Sequence, residues 1–227
     1  MNGYRFTFCD VACLALPSGG LYLPAYRVLC VSDLHLGKSD RIARRSGIML
    51  PPYEVHQTLQ KLEADIAATT PDTVICLGDS FDDMQAADSM DEQTSLWLAG
   101  MQAGRDWIWI EGNHDPGPLA IGGTHRAEYH IGGLAFRHIA TPAPAEVSGH
   151  YHPKHRLAGR SRPAFLLDAT RLILPAYGAY TGGLDCNNPA LRCLFGDRLI
   201  AVLTGNKAIA TPVTKTPQPA PFRGRSY

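Results

Sequence analysis

The stretch "RVLCVSDLH" (27–35) runs an apolar segment straight into Ser32, Asp33 and His35. The chain repeats the device in "DTVICLGDS" (72–80) and in "DWIWIEGNHD" (106–115). Short apolar runs that stop at polar clusters read as strands. Between the first two, Val55, Leu59, Leu62 and Ile66 recur at spacings of four, three and four after Pro51-Pro52, which predicts a helix. Trp97, Leu98 and Met101 predict another over 91–103. Strand–helix–strand–helix–strand implies right-handed crossovers and a parallel sheet, hence the α/β class. Ligands of such sheets bind beyond the carboxyl ends of the strands, and all three polar clusters sit at that edge.

Beyond residue 126 the pattern changes. "AEYHIGGLAFRHI" reads as two short strands around Gly132-Gly133, and "RPAFLLDATRLILP" repeats the form around Asp168-Ala169-Thr170. "LRCLFGDRLIAVLTGNKAIATPV" gives further short strands with turns at Gly196-Asp197 and Gly205-Asn206. A βαβ half is thus followed by a mostly antiparallel half, with no linker between them. We expect one catalytic domain over 1–210. The Pro-rich, basic tail at 211–227 has too few aliphatic residues to pack and reads as disordered.

The chain has 227 residues, 45% of them hydrophobic, and 21 basic residues balance 21 acidic ones. Zero net charge provides no global field to steer nucleic acid, so any such binding rests on local patches. The six cysteines form no C-x-x-C pair, and Cys30 and Cys76 sit inside strand runs, which fits a reducing compartment. Asp10 interrupts the N-terminal apolar stretch, so it does not read as a signal peptide, and no run approaches the roughly 20 apolar residues of a membrane span. The expected location is the cytoplasm, with no membrane association.

The polar clusters share a chemistry. Asp33 and His35 stand two apart at a strand end, so both side chains should leave on one face. "LGDSFDD" offers Asp79 with Asp82 three residues on, and "EGNHDPG" offers Asn113, His114 and Asp115. His138 closes "AFRH", and "GHYH" repeats the spacing with His150 and His152. Each element alone is common, and a His on a strand is more often a hydrogen-bonded neutral side chain than a ligand. All five in order are another matter: four or five strand ends deliver carboxylates, an amide and imidazoles to one edge, the donor set of a metal centre.

The ordered set D-x-H, GD-x-x-D, GNHD, H and GHxH resembles the calcineurin-like metallophosphoesterase superfamily over residues 27–152. "SDLHLGK", "GHYHPKHRL" and "LPAYGAYTGG" are similar to the bacterial ligase-associated DNA damage response endonuclease branch and extend the match to about residue 185. The resemblance implies two packed mixed β-sheets flanked by helices, a four-layer α/β/β/α sandwich. It also implies that Asp33, His35, Asp79 and His152 hold one metal, and that Asp79, Asn113, His138 and His150 hold a second, with Asp79 bridging. His114 would face the scissile phosphate. The narrower branch carries His where this chain has Asp82; a carboxylate there could instead orient a ligand His.

A phosphodiester is an anion that repels hydroxide. Two divalent ions about 3.5–4 Å apart clamp its oxygens and lower the pKa of a water. His114 could then stabilise charge or protonate the leaving alkoxide, with Asp115 orienting it. The absence of cysteine among the ligands argues against a structural zinc site. Mn²⁺ is the first expectation for both ions, with Fe and Zn²⁺ also suited to the donors.

Of the other histidines, His130 competes with His138 as the isolated ligand, but His138 closes a strand whereas His130 enters a turn. His56, His125 and His155 have no assigned part. Lys38, Arg41, Arg44 and Arg45 follow the first ligand pair; Lys154, Arg156, Arg160 and Arg162 follow the last. Both clusters could contact phosphates at the rim of the cleft, with Arg44, Arg45, Lys154 and Arg156 as candidates. Tyr177 and Tyr180 of "PAYGAYTGG" are candidates for a site wall or base stacking. The expected function is two-metal hydrolysis of DNA phosphodiesters, with an ATP-dependent DNA ligase and a helicase as partners by family resemblance. The alternatives are a phosphoesterase acting on a nucleotide or other small phosphoester, and a scaffold that kept the fold without metals. Lipid A pathway hydrolases resemble the superfamily too, but we expect Arg where this chain has His114, and an apolar lid that it lacks.

Overall fold

In the computed structural model the three apolar runs lie side by side in one sheet. The structure describes residues 2–39, 41–42, 47, 53–83, 90–117 and 121–214. In chain order its elements begin with β1 (Tyr4–Phe8), β2 (Val11–Ala15), β3 (Leu21–Leu23) and β4 (Val28–Val31). Then come α1 (Glu54–Thr69), β5 (Thr73–Leu77), α2 (Glu92–Gln102), β6 (Asp106–Ile110) and β7 (Thr124–Arg126). The second half holds β8 (Glu128–Ile131), β9 (Leu134–Arg137), β10 (Glu146–Ser148), β11 (Lys154–Leu157), β12 (Arg160–Leu167) and β13 (Arg171–Ile173). It closes with α3 (Pro189–Arg192), β14 (Ile200–Leu203) and β15 (Ile209–Pro212).

The first sheet runs β1-β2-β3-β4-β5-β6-β7, antiparallel up to β4 and parallel from β4 to β7. The second runs β15-β14-β12-β13-β10-β9-β8, with β11 hydrogen-bonded to β12. Within it β10 is parallel to both neighbours and the other pairs are antiparallel. Both sheets are therefore mixed, as expected. They pack face to face: Cys30, Ile75, Leu77 and Ile108 of the first meet Phe136, Val147, Phe165 and Val202 of the second in one core. The reverse face of the first sheet (Leu29, Val74, Trp107, Trp109) packs on Leu59, Leu62 and Ile66 of α1 and Leu98 and Met101 of α2. The reverse face of the second is covered by Leu191 of α3, Cys186 and Phe195. Strands with a core on each side need apolar residues at every position, which explains the unbroken runs.

Both expected helices form, and Asp91 caps α2 by accepting from Thr94 N at 2.9 Å. Three segments differ from expectation. Residues 4–23 form an unforeseen three-stranded meander, whose first turn places both Cys9 (φ 45°) and Asp10 (φ 64°) in the left-handed region without a glycine. "LRCLF" was expected to be a strand. Instead its start belongs to α3, where the Asn188 side chain accepts from Ala190 N at 3.0 Å and Pro189 opens the helix. Finally, β15 takes up Thr211 and Pro212 from the expected tail, and Val213 is buried. The rest of that tail, from 215, lies outside the described residues, as do Arg44 and Arg45.

Candidate metal centre

The candidate ligands do not sit on the strands. β4 ends at Val31 and β10 at Ser148, so the alternation expected for Asp33 with His35, and for His150 with His152, is not what aims them. The backbone does it instead. Asp33 (φ 53°), His35 (φ 47°), Asp79 (φ 46°), His150 (φ 72°) and His152 (φ 47°) all adopt left-handed conformations. Each costs a non-glycine residue about 1–3 kcal/mol, a cost that structures bear at functional sites when the surroundings enforce it. Here the loops zip together: His35 N donates to Asp79 O at 2.9 Å, Leu36 N to Ser80 O at 2.9 Å, and Asp82 N back to Leu36 O at 3.0 Å. Gly149 lets the last loop close on the first, because a Cβ there would overlap Ser32 Oγ.

Two donor groups result. In one, one ligand atom each from Asp33, His35 and His152 lies within 4.8 Å of the others; in the second, Asp79, His138 and His150 do the same. A third grouping joins His35, Asp79 and His114. Asp79 thus stands with histidines of both sides, as a bridging ligand must. His152 Nε2 is 3.2 Å from Asp33 Oδ1 and 3.3 Å from His35 Nε2. His138 Nε2 is 3.4 Å from Asp79 Oδ2 and 3.2 Å from His150 Nδ1. Asn113 Nδ2 lies 3.3 Å from His150 Nδ1, so a turn of the amide would bring its oxygen, the ligating atom, to the second group.

Neighbouring groups hold these donors in place. Asp82, fully buried, reaches His35 Nδ1 at 2.9 Å with one oxygen and pairs with Arg41 Nε through the other. Burial alone would raise its pKa, but His35 and Arg41 outweigh that and hold it low. The carboxylate in place of the branch's His therefore orients a candidate ligand. It also takes Arg41 out of the set of free phosphate contacts. Ser32, which the sequence reading missed, donates to Asp33 Oδ2 at 2.5 Å. His150 N donates to the same carboxylate at 3.0 Å.

Asp115 differs from expectation. Its carboxylate accepts from the backbone N–H of Asp79 (2.9 Å), Ser80 (2.7 Å) and Phe81 (3.2 Å), so it clamps the Asp79 loop. The His114 ring is held elsewhere, with Nδ1 2.7 Å from the Asp82 carbonyl, while His114 N donates to Asp79 Oδ1 at 2.9 Å.

This donor set fits cations. His138 Nδ1 faces the Leu77 carbonyl at 2.8 Å and so carries a proton, which turns Nε2 toward Asp79 and His150. Likewise, with Nδ1 on Asp82, His35 turns Nε2 toward His152. Lone pairs converging on carboxylates are favourable only with positive charge between them. The electrostatics agree: burial would lower the His138 pKa, yet Asp79 and Asp33 raise it. His150 moves the other way, lowered by burial and by His138 beside it. Asp79 is held well below the usual carboxylate range, because His138 and the His114 N–H outweigh its burial.

The remaining candidates divide. Tyr177 is 0% exposed, its ring packs among the α1-side core and its hydroxyl donates to Asp65 Oδ2 at 2.9 Å, so it cannot stack on a base. Tyr180 is 47% exposed and remains accessible. Lys154 and Arg156 lie on one face of the β11–β12 hairpin, and Arg160, which pairs with Leu157, lies on the other. Lys154 Nζ rests 3.4 Å from the Thr181 carbonyl; Arg162 braces the Thr204 carbonyl and is not a free cation. His130 joins none of the donor groups and pairs with Glu128 at 3.0 Å, whereas His138 stands in the second group, so the isolated ligand candidate is His138.

With that geometry established, similarity to known proteins decides the family. The model of the calcineurin-like phosphoesterase family matches residues 26–190. The chain belongs to the calcineurin-like phosphoesterase family. Members use divalent metals to hydrolyse phosphoester bonds, and the matched segment contains every candidate ligand. Among solved structures, the chain is similar to the Pseudomonas putida nuclease MPE, with 26% identity and a TM-score of 0.72 over 93% of this chain and 100% of that one. A predicted phosphoesterase from Streptococcus pneumoniae TIGR4 matches at 12% identity and a TM-score of 0.32, over 82% of this chain and 97% of that one. No curated protein matches the chain. Among the described residues no helix is long and apolar enough to cross a membrane.

Proposed function

We propose that this phosphoesterase is a two-metal phosphodiesterase that cleaves DNA. The observation that carries the reading is the pair of donor groups, Asp33–His35–His152 and Asp79–His138–His150, with Asp79 placed beside both. When bound there, two divalent cations, Mn²⁺ most readily and Fe or Zn²⁺ as substitutes, neutralise the phosphodiester and acidify the attacking water. The chain supplies the rest. Asp79 is fixed by the His114 N–H and by the Asp115-clamped loop, so its carboxylate needs no reorganisation during reaction. His114, with Nδ1 donating to the Asp82 carbonyl, turns Nε2 away from that bond. In its imidazolium form, protonated from solvent, it would pass the Nε2 proton to a leaving alkoxide and return to the neutral Nδ1–H ring.

DNA as substrate is supported by the nuclease named in the similar Pseudomonas putida structure. It is also supported by Lys154 and Arg156, which share a hairpin face directly after His152, and by the exposed Tyr180. With zero net charge, such a local patch is what must hold the phosphates. The reading brings with it a cytoplasmic location and, by family resemblance, an ATP-dependent DNA ligase and a helicase as partners. The test compares turnover of bis-p-nitrophenyl phosphate and of DNA with added Mn²⁺ and with EDTA. Mn²⁺-dependent cleavage of both is expected. Cleavage of the small diester alone points to a small-phosphoester enzyme, and no turnover of either points to a scaffold.

A further inference from the structure

Helix α1 has a second stripe beside its apolar one. Glu54, Thr58, Lys61 and Asp65 stand at i, i+4, i+7 and i+11, so they share one face. Each reaches off the helix to another segment of the chain. Glu54, 2% exposed, accepts from Ser39 N at 3.0 Å and from the Ser39 hydroxyl. Thr58 Oγ1 accepts from Ala179 N at 3.1 Å. Lys61 Nζ donates to the Tyr177 carbonyl and stands 3.9 Å over the Tyr177 ring. Asp65 Oδ2 accepts from the Tyr177 hydroxyl at 2.9 Å and from Ser18 Oγ at 2.5 Å.

The segment 177–179, which Thr58, Lys61 and Asp65 grip, lies directly against the first ligand loop. Tyr177 N donates to Ser32 O at 2.7 Å and Gly178 N to Asp33 O at 3.0 Å. A Cβ on Gly178 would overlap the Leu34 carbonyl, so the two backbones can approach only because that residue is glycine. Contact therefore runs from α1 through 177–179 to 32–34, the loop that presents Asp33 and His35. Besides the backbone bonds that zip the two loops together, the other donor group has braces of its own: Asp79 is held by the Asp115-clamped loop and His138 by the Leu77 carbonyl. A helix that merely covered the sheet would place apolar side chains along this stripe. Burying polar ones costs free energy unless they are paired; here each of the four makes at least one bond, although the second Glu54 oxygen, Oε2, is buried without a partner.

We propose that α1 is the positioning element for the Asp33–His35–His152 group, with Thr58, Lys61 and Tyr177 as positioning residues that act through the backbone of 32–34. The proposal rests on the reading that this group holds a cation. Loosening the stripe should weaken one of the two cation sites and spare the other. Groups that orient ligands typically contribute about 10–100-fold to metal affinity.

The experiment titrates Mn²⁺ into the metal-free full-length chain by calorimetry, for the wild type and for Lys61→Met, Thr58→Val and Thr58→Ser. His152→Ala identifies which binding event belongs to the first group. The wild type should show two events. Lys61→Met and Thr58→Val should weaken the event lost in His152→Ala by about 10–100-fold and leave the other within about twofold. Thr58→Ser, which keeps the acceptor oxygen, should match the wild type. Urea unfolding of each metal-free variant accompanies the titration; if Lys61→Met fails to fold, the Thr58 pair decides. Equal weakening of both events, or no change in either, overturns the proposal. A wild-type chain that binds no Mn²⁺ overturns the underlying reading and the proposal with it.

Discussion

Replacing Asp115 by alanine removes one buried acceptor from three backbone donors at once, the N–H groups of Asp79, Ser80 and Phe81 at 2.9, 2.7 and 3.2 Å. Each buried donor left without a partner costs about 1–3 kcal/mol, so the loss is roughly 3–6 kcal/mol if water reaches some of them. Part is returned. Burial, with the Asp79 charge adding to it, pushes the Asp115 carboxyl from 3.8 up to about 6 despite its three donors. That rise represents about 3 kcal/mol of strain in the ionised form at neutral pH. The net expectation is a destabilisation of up to about 3 kcal/mol at pH 7.5, read by urea unfolding of the metal-free protein. Hydrogen exchange should show the amides of 79–81 losing protection. Unchanged stability together with unchanged protection would refute the clamp. Loss of turnover without either change would restore Asp115 to the role of orienting His114.

Three further outcomes are expected. His114→Ala should retain both cations and lose about 10²–10⁴-fold in turnover of DNA, with a smaller loss on p-nitrophenyl esters, whose leaving group needs no proton; metal lost along with activity would make His114 a ligand. Lys61, lowered by burial from 10.5 to about 8 against the pull of Asp65, is more protonated in the unfolded chain between those values. Stability of the wild type relative to Lys61→Met should therefore rise with pH from about 8 to 10.5, by about 2 kcal/mol after allowance for residual solvent contact; a flat difference in the urea midpoints contradicts it. Lys154→Gln with Arg156→Gln should weaken DNA binding and lower its log–log salt slope by up to about 2, leaving small-diester turnover intact; an unchanged slope removes the hairpin from the interface.

Much of the fold was legible because strands such as Val28–Val31 and Thr73–Leu77 are buried on both faces and so leave unbroken apolar runs. The meander at 4–23 was not, because its turn at Cys9-Asp10 uses left-handed residues without the usual glycine. The sequence correctly named which residue types gather at the strand edge. It gave the wrong reason for their aim, since Asp33, His35, His150 and His152 lie beyond the strands and are turned by positive φ. Spacing carries no trace of that. Tyr177 was misjudged for a related reason. Its neighbours in sequence are small residues suggestive of an open loop, whereas its partners Lys61 and Asp65 lie more than a hundred positions away. The stripe on α1 was invisible for the same cause: a polar residue on a helix reads as solvated until the loop it pairs with is known.

Anomalous scattering from a crystal grown with Mn²⁺ would show whether two cations share Asp79. Two peaks about 3.5–4 Å apart are expected, one bounded by Asp33, His35 and His152, the other by Asn113, His138 and His150, with Asp79 between them. A single peak, or two peaks neither of which touches Asp79, would contradict that arrangement.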